Sequence, residues 1–475
     1  MGKKRILLIN SPIRLTQPPT NIPYGLSIIA AVLDLEGHDV VLLDANAHRL
    51  GIDEILADIA DESFDIISLS GLVTTYGFQK KILPGLRGLF PDALLITGGG
   101  CASSIPEEML TWIPELDLCC IGEGEKTIVE IVDNSDDRNF SDVIGINYRN
   151  NEGVIIKNPP RPYMSEEELN TLPYPALDML PMEEVYFPNS SIALSAEAFG
   201  AKRRIDVISQ RGCPYDCTFC YHIVGGKRVR FQSARYVVGM IKHFRFRYAI
   251  DFVTLIDENM LANKKRALEF CDLYEEEGLA DLVKWGTTSH ANSIDPQLLK
   301  RLKECGCTYL EIGGESADNR ILKEIKKNTT VDRLQYALQE TIRAGINPVM
   351  NFMVGYEGED CQSIYETVTF WIKNGFKIYP FIITPYPGSA LYHSNMDKIL
   401  EQYDGKLEDY ILSLGDATEL TVNISRFSDP ELLGLRELMA KGDLKRIMRF
   451  SEQRGEKITV NKADNGEFPV GNKGE

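Results

Sequence analysis

The stretch RIDVISQRGCPYDCTFCYH, Arg204 to His222, runs a strand straight into a loop that sets Cys213, Cys217 and Cys220 at C-x3-C-x2-C spacing. Five more strands follow, in DFVTLID, LVKWGTT, YLEIGGE, NPVMNFMVG and YPFIITPYPGS, with helical patterns between them. Six strand-plus-helix units whose chemistry-bearing residues fall at strand ends predict a partial (β/α)6 barrel of TIM type, its site at the carboxyl ends of the strands.

Upstream, a separate alternation opens the chain. Strand KKRILLIN, helix PYGLSIIAAVLDLEG ending on Gly37, strand HDVVLLDA, helix IDEILADIADES and strand FDIISLSG succeed one another. Helix FQKKILPGLRGLF, strand ALLITGGG, helix IPEEMLTWI and strand LDLCCIGEGE continue the series. This order predicts an α/β domain, a doubly wound Rossmann-like parallel sheet whose ligand sits at the carboxyl ends of its strands. Ser68, Ser70, Thr74, Gly98, Gly99, Gly122, Glu123 and Gly124 all fall there. Glycines let a backbone approach a ligand closely and serines offer hydroxyls to it, although tight strand-to-helix turns would use the same glycines. From about Asn134 the pattern loosens into a hairpin around Asn151 and the proline-rich connector LPYPALDMLP. The expected domains are 1–135, a hairpin and linker 136–198, the barrel 199–395 and a helical segment 396–475 that frays from about Lys462.

Composition sets limits on function. The 475 residues, 44% hydrophobic and 25% charged, suffice for two or three domains with proper cores. The 51 basic against 69 acidic side chains leave a net charge of -18, which disfavours nucleic acid and anionic lipid and favours a small substrate. The start MGKKRILLIN is too short an apolar run for a signal peptide, and Ile6 stands where a myristoylation signal wants Ser or Thr. No stretch approaches the roughly 18 apolar residues of a membrane span, so a cytoplasmic protein is expected. Ten cysteines in a chain of this size do not make a disulfide scaffold, and a tight cluster of them points to metal.

Three closely spaced thiolates admit two readings. With His222 as a fourth ligand, C-x3-C-x2-C-x-H is a legitimate zinc site. On a 4Fe-4S cluster, three thiolates instead leave one iron open to a small molecule. Position favours the cluster, because this loop leaves the first strand of a barrel at the end where such folds place chemistry.

The loop resembles the signature of the radical S-adenosylmethionine (SAM) superfamily, C-x3-C-x-aromatic-C, with Phe219 as the aromatic residue and Tyr221 after the last cysteine. The resemblance implies that Cys213, Cys217 and Cys220 hold one cluster and that the amino and carboxylate groups of SAM bind its open iron. Phe219 and Tyr221 would lie against that site. The likeness continues in order. Asp257, Glu258 and Asn259 end the second barrel strand, where the family contacts the SAM amino group; Glu315 and Ser316 of GGES end the fourth; Asn351 and Gly355 of NFMVGYEGED line the fifth. A barrel-rim salt bridge would equally account for Glu315. PYPGS, Pro385 to Ser389, resembles the family's Pro-x-Pro-Gly turn. The third strand, WGTTSHANSID, lacks the arginine common in relatives, which leaves open whether His290 or Asn292 replaces its contact.

The N-terminal half, with GGG near Gly99 and GEGE from Gly122, resembles the cobalamin-binding domain that precedes the barrel in one large subclass. The eight strand-end residues above become its candidate cobalamin contacts, and the two resemblances together cover roughly residues 3 to 395. His48 in DANAHRLG imitates the cobalt-ligating D-x-H-x-x-G of methionine synthase corrinoid domains, but it follows the second strand, not the first, and Asn46 holds the aspartate position. It reads as a surface loop histidine. The equivalent loop, NSPIRLTQPPTN, contains no histidine, so bound cobalamin is expected to lack a protein imidazole on cobalt.

The activity implied is reductive cleavage of SAM at the 4Fe-4S cluster to a 5'-deoxyadenosyl radical that takes hydrogen from an unactivated carbon. Methylcobalamin would then methylate that carbon of a small-molecule substrate, with a flavodoxin- or ferredoxin-type donor supplying electrons. An oxidative cyclase or rearranging enzyme with bound cobalamin and no methyl transfer is the alternative within the family. A noncatalytic corrinoid-binding sensor or carrier is the alternative of another class, and it would have no use for the cysteine triad. Cys101, Cys119 and Cys120 read as core thiols, and Cys271, Cys305, Cys307 and Cys361 are too dispersed to argue a second cluster. Tyr386, Tyr392 and YDGKLEDYILSL could cap the barrel mouth, although aromatic helices in such a place are more often core.

Overall fold

A computed structural model describes residues 2–13, 17–190, 200–222, 226, 228–415 and 417–460. The expected boundary at 198/199 and the fraying from Lys462 lie outside the described residues.

Strands that are apolar without alternation are buried on both faces. RILLIN forms β1 (Arg5–Asn10), and Ile6, Leu7, Leu8 and Ile9 are wholly buried. β1 pairs in parallel with β2 (Asp39–Leu43) on one side and β3 (Ile66–Ser70) on the other, which makes it the switch point of the sheet. β4 (Leu94–Gly98) and β5 (Leu118–Cys120) continue the parallel part, and the order is β2-β1-β3-β4-β5-β6-β7. β6 (Ile146–Arg149) and β7 (Ile155–Lys157) form the hairpin expected around Asn151, and Asn150 Oδ1 closes its turn by accepting from Val154 N–H at 2.8 Å. The hairpin pairs antiparallel with β5 and extends the first sheet, because Ile146 and Tyr148 share a core with Leu118 and Cys120.

Two local expectations need correction. The GGG run ends its strand at Gly98 and starts a helix, Gly99–Ser104, ahead of helix Pro106–Trp112. His48 ends a one-turn helix, Ala45–His48, capped by Asp44, so it is not in a loop, although its side chain is exposed as expected.

β8 (Arg204–Val207) begins the second sheet. A short antiparallel ribbon of β9 (Gln210–Arg211) and β10 (Arg230–Phe231) then brackets the cysteine loop in the chain. β11 (Phe252–Leu255), β12 (Lys284–Ser289), β13 (Cys307–Glu315), β14 (Asn347–Val354) and β15 (Phe381–Ile382) complete six strands in sequence order, a half-barrel. The sixth strand is only two residues long, since the prolines at 380, 385 and 387 cannot donate to a ladder.

The chain packs as two compact units. One comprises Met1–Pro214, Tyr221–Thr288 and Lys300–Tyr309, and holds the first sheet with β8, β11 and most of β12. The other comprises Tyr215–Cys220, Ser289–Leu299 and everything from Leu310. In this second unit Tyr392 and Tyr410 are core and Tyr386 is half-buried: Tyr410 donates to Pro385 C=O at 2.7 Å, Tyr386 to Gly415 C=O at 3.0 Å, and Tyr392 stacks on Tyr410. Among the described residues no helix is long and apolar enough to cross a membrane.

In the first unit, Gly286 of β12 lies under the Tyr309 ring, where an added Cβ would come within 2.0 Å of ring carbon. A Gly286→Ala substitution is therefore expected to destabilise that unit by about 1–3 kcal/mol through overpacking. A lowered urea midpoint would show it, and an unchanged midpoint would contradict the packing described.

Candidate functional site

In the first unit, the carboxyl ends of β3, β4 and β5 open into a cavity of about 290 Å³. That is at the lower end of the roughly 300–1,000 Å³ of a small-ligand pocket. Ser68, Ser70, Gly98, Gly99, Gly122, Glu123 and Gly124 all line it. Thr74, the eighth candidate, does not; it sits in a 3-10 turn, Val73–Thr75, with a buried hydroxyl that has no partner. Apolar side chains of helix Tyr24–Leu35, Leu26, Ile28 and Ile29, form one wall, and Ile208, Ser209, Gln210 and Arg211 another.

The glycines do double work. Gly99 and Gly122 have φ of +80° and +76°, so their turns require glycine whatever binds there. At Gly122 an added Cβ would meet nothing within 4 Å, whereas at Gly99 it would press on Ser70 Oγ and Gly71 C=O at 3.1 Å. Glu123 is taken up by the protein itself: Oε1 accepts from Arg211 at 2.8 Å and Arg230 at 2.7 Å, and Oε2 from Met164 N–H at 2.6 Å. Glycines along the rim and an apolar wall suit the face of a corrin, and the Asn10–Asn21 loop contains no histidine.

The ten cysteines separate by exposure. Cys213, Cys217 and Cys220 are partly exposed, while the other seven are buried. Burial pushes the thiols of Cys101 and Cys120 up to about 12, and that of Cys307 higher still. Thiolate chemistry therefore falls to the triad. Among the described residues no three His, Cys, Asp or Glu side chains converge closely enough to grip a single ion, so the case for the triad rests on the kind, exposure and place of its thiols.

The loop is held from its backbone. In the first unit Cys213 N–H donates to Gly226 C=O at 3.1 Å, and Gly212, at φ +87°, lies so near Arg228 C=O that no Cβ fits. Tyr221 donates to Gly100 C=O at 2.9 Å and shares a hydrogen bond with Ser104, which turns it toward the first sheet. In the second unit Cys220 N–H donates to Cys217 C=O at 3.1 Å and Thr218 N–H to Ile325 C=O at 3.0 Å, while Phe219 meets Tyr356 edge-on. Tyr215 stacks on the His290 ring, centroids 3.7 Å apart.

That stack settles where the third-strand residues point. His290 Nε2–H donates to Lys327 C=O at 2.9 Å and Nδ1 accepts from Asn292 N–H, an assignment made from these partners. Burial, with the charge of Lys327, pushes the imidazole down to about 4, so it is neutral at pH 7. Asn292 Nδ2 donates to Asn328 C=O at 2.7 Å and Oδ1 accepts from Thr329 Oγ1 at 3.0 Å. Both side chains are thus occupied by the 327–329 turn.

The acidic candidates have different environments. Asp257 is buried and its carboxylate accepts the N–H and hydroxyl of Ser209; Asn259 is also buried; Glu258 is exposed, lines the cavity and approaches His222 Nδ1 at 3.3 Å. Glu315 sits at φ +61° and pairs through Oε1 with Lys327 Nζ at 2.7 Å, leaving Oε2 buried without a partner. Sequence reading missed Lys327. Ser316 is fully buried, with Oγ accepting from Asp318 N–H at 3.2 Å. Asn351 donates to the Glu311 carboxylate, and Gly355, at φ +103°, donates its N–H to Glu359 Oε2 at 2.6 Å.

Two family profiles match the chain. The profile described as B12 binding domain matches residues 12–132, and that of the Radical SAM superfamily matches residues 207–370. An uncharacterized methyltransferase of Pyrococcus horikoshii is 28% identical over 399 residues, 82% of this chain and 83% of that protein. An anaerobic magnesium-protoporphyrin IX monomethyl ester cyclase of Rubrivivax gelatinosus is 26% identical over 408 residues, 83% of this chain and 69% of that protein. The fold is also that of the radical SAM methyltransferase TsrM from Kitasatospora setae, solved with cobalamin and a [4Fe-4S] cluster bound, at TM-score 0.67, 15% identity and coverage of 84% and 79%.

Glu359 yields a test of the fifth-strand loop. Burial pushes its carboxyl up to about 8, against the pull of the Gly355 and Tyr356 N–H groups. The folded state then holds a proton that the unfolded chain releases near 4.5, so stability is lost as pH rises from about 4.5 through 8. Glu359→Gln keeps an acceptor for both N–H groups and should stabilise the protein at pH 8 relative to the parent, with little effect at pH 5. Parallel stability curves across that range would count against it.

Proposed function

We propose that this chain, which belongs to the cobalamin-dependent radical SAM enzymes and works with a 4Fe-4S cluster, SAM and cobalamin, methylates an unactivated carbon of a small molecule. One observation carries the reading. The segment Ile208–Arg211 walls the glycine-rimmed cavity, and two residues further on the same backbone bears Cys213. Covalent continuity of that kind would hold a corrin site and a cluster site in one short piece of chain.

Cys213, Cys217 and Cys220 are the residues that would hold the cluster. When bound, the cluster supplies an electron for opening SAM, and cobalamin supplies a methyl carrier. The protein binds and excludes. Glu315, its Oε1 fixed by Lys327, would offer its unpartnered Oε2 to the ammonium of SAM. Ser68, Ser70 and the glycines at 98, 99, 122 and 124 would seat the corrin, and Leu26, Ile28 and Ile29 would keep water from its face. A flavodoxin- or ferredoxin-type donor in the cytoplasm supplies the electrons.

Methyl transfer is supported by the relative named a methyltransferase, which this chain matches over 83% of its length. The cyclase relative, matched over 69%, supports a second reading in which the same parts cyclise or rearrange a substrate with no methyl transfer.

Anaerobically purified protein offered cobalamin should hold about four irons, four sulfides and one cobalt per chain. A Cys213→Ala, Cys217→Ala, Cys220→Ala variant should lose the iron and keep the cobalt. Methyl-labelled SAM should give 5'-deoxyadenosine and a labelled product. Unlabelled product beside 5'-deoxyadenosine would select the second reading, and zinc in place of iron would refute both.

A further inference from the structure

Three residues that line the cavity each carry an acceptor atom with no hydrogen-bond partner. Gln210, Gln232 and Glu125 all line it and are only 3%, 6% and 8% exposed. Gln210 Oε1, Gln232 Oε1 and Glu125 Oε2 are each buried without a hydrogen-bond partner. Their orientations are fixed by the other end of each group. Gln210 Nε2 donates to Gly212 C=O at 2.8 Å and Gln232 Nε2 to Leu169 C=O at 3.2 Å, so flipping either amide would set oxygen against oxygen. Glu125 receives Arg211 on Oε1, which leaves Oε2 as the spare atom.

A buried acceptor deprived of a donor is costly, and native interiors hold few of them. Three in one cavity, all of the same sense, describe a ligand by what it must bring: hydrogen-bond donors and no negative charge. Resting on the assignment of this cavity to cobalamin, we propose that Gln210, Gln232 and Glu125 receive the N–H groups of primary carboxamides on the corrin periphery, so that this wall reads amide against carboxylate. A corrinoid with one of those carboxamides hydrolysed would set an anion that only accepts against acceptors, one of them itself a carboxylate. Amide and acid are almost the same size, and the discrimination is therefore electronic. The residues lie in segments that the strand-end glycine pattern does not include, on helix Gly124–Asp133, on β9 and just beyond β10.

The test is equilibrium dialysis of the full chain at pH 7, followed by visible absorbance, with hydroxocobalamin and with monoacids that each carry one propionamide hydrolysed to carboxylate. Hydroxocobalamin should be retained, and at least one monoacid should bind tenfold or more weakly. Glu125→Gln should shrink that gap by weakening the rejection of the acid. Gln210→Leu and Gln232→Leu should shrink it from the other side by weakening hydroxocobalamin. If every monoacid binds as tightly as hydroxocobalamin, the inference is overturned while the cavity remains a cobalamin site. If hydroxocobalamin is not retained, the cavity assignment falls and the inference with it. The wild-type comparison decides the matter even where a variant does not fold.

Discussion

One buried carboxylate fixes the geometry on which the cavity depends. Glu123 lies at the end of β5, and its two oxygens take Arg211 of β9, Arg230 of β10 and the Met164 N–H. Bringing such charges out of water costs several kcal/mol per ion unless the hydrogen bonds are met, and removing one partner leaves the others stranded. Here three donors meet one carboxylate, and Glu125 receives the second arm of Arg211. The ribbon that brackets the cysteine loop is thereby tied to the carboxyl edge of the first sheet. A site built across two sequence-distant segments thus has a rigid wall, as any site that must position a reacting group needs.

Much of this was legible in the sequence, and the misses have identifiable causes. Apolar runs such as RILLIN and IISLS could only be buried parallel strands, so the sheet and the glycines at its edge followed. The cysteine spacing stood out because the remaining thiols are scattered. The helix Gly99–Ser104 did not, since it opens on two glycines, which are poor helix formers, and only the surrounding packing makes that segment helical. Tyr221 follows the last cysteine, and adjacency suggested a shared site, but its hydroxyl reaches Gly100 instead. Tertiary contacts of that kind leave no periodic trace.

Lys327 shows the same limit more sharply. In the sequence it is one of several lysines after a helix, where charge ordinarily means a solvated end. In the structure it is buried against Glu315, and the flanking Lys326 and Asn328 both take left-handed conformations, φ +55° and +54°. Glu315 itself is at φ +61°. Non-glycine residues in that region cost on the order of 1–3 kcal/mol each and persist only where their surroundings over-determine them. An ion pair hidden from water is one such determinant, and the contacts made by His290 and Asn292 to the same turn are another.

Strain and burial together also explain how one chain keeps most of its ten thiols inert while leaving three available. Burial suppresses the thiolate, as at Cys101, Cys119, Cys120 and Cys307, where the charged form would have no solvent. Cys217 and Cys220 instead lie on a loop pinned by its backbone to Ile325 and Leu391, near Lys327, whose ammonium is kept protonated against burial first by Glu315 and then by the charge of the cysteines. The strained turn and the cysteine loop thus meet at one buried ammonium, so the backbone conformation at Lys326 and Asn328 and the placing of the loop are parts of one arrangement.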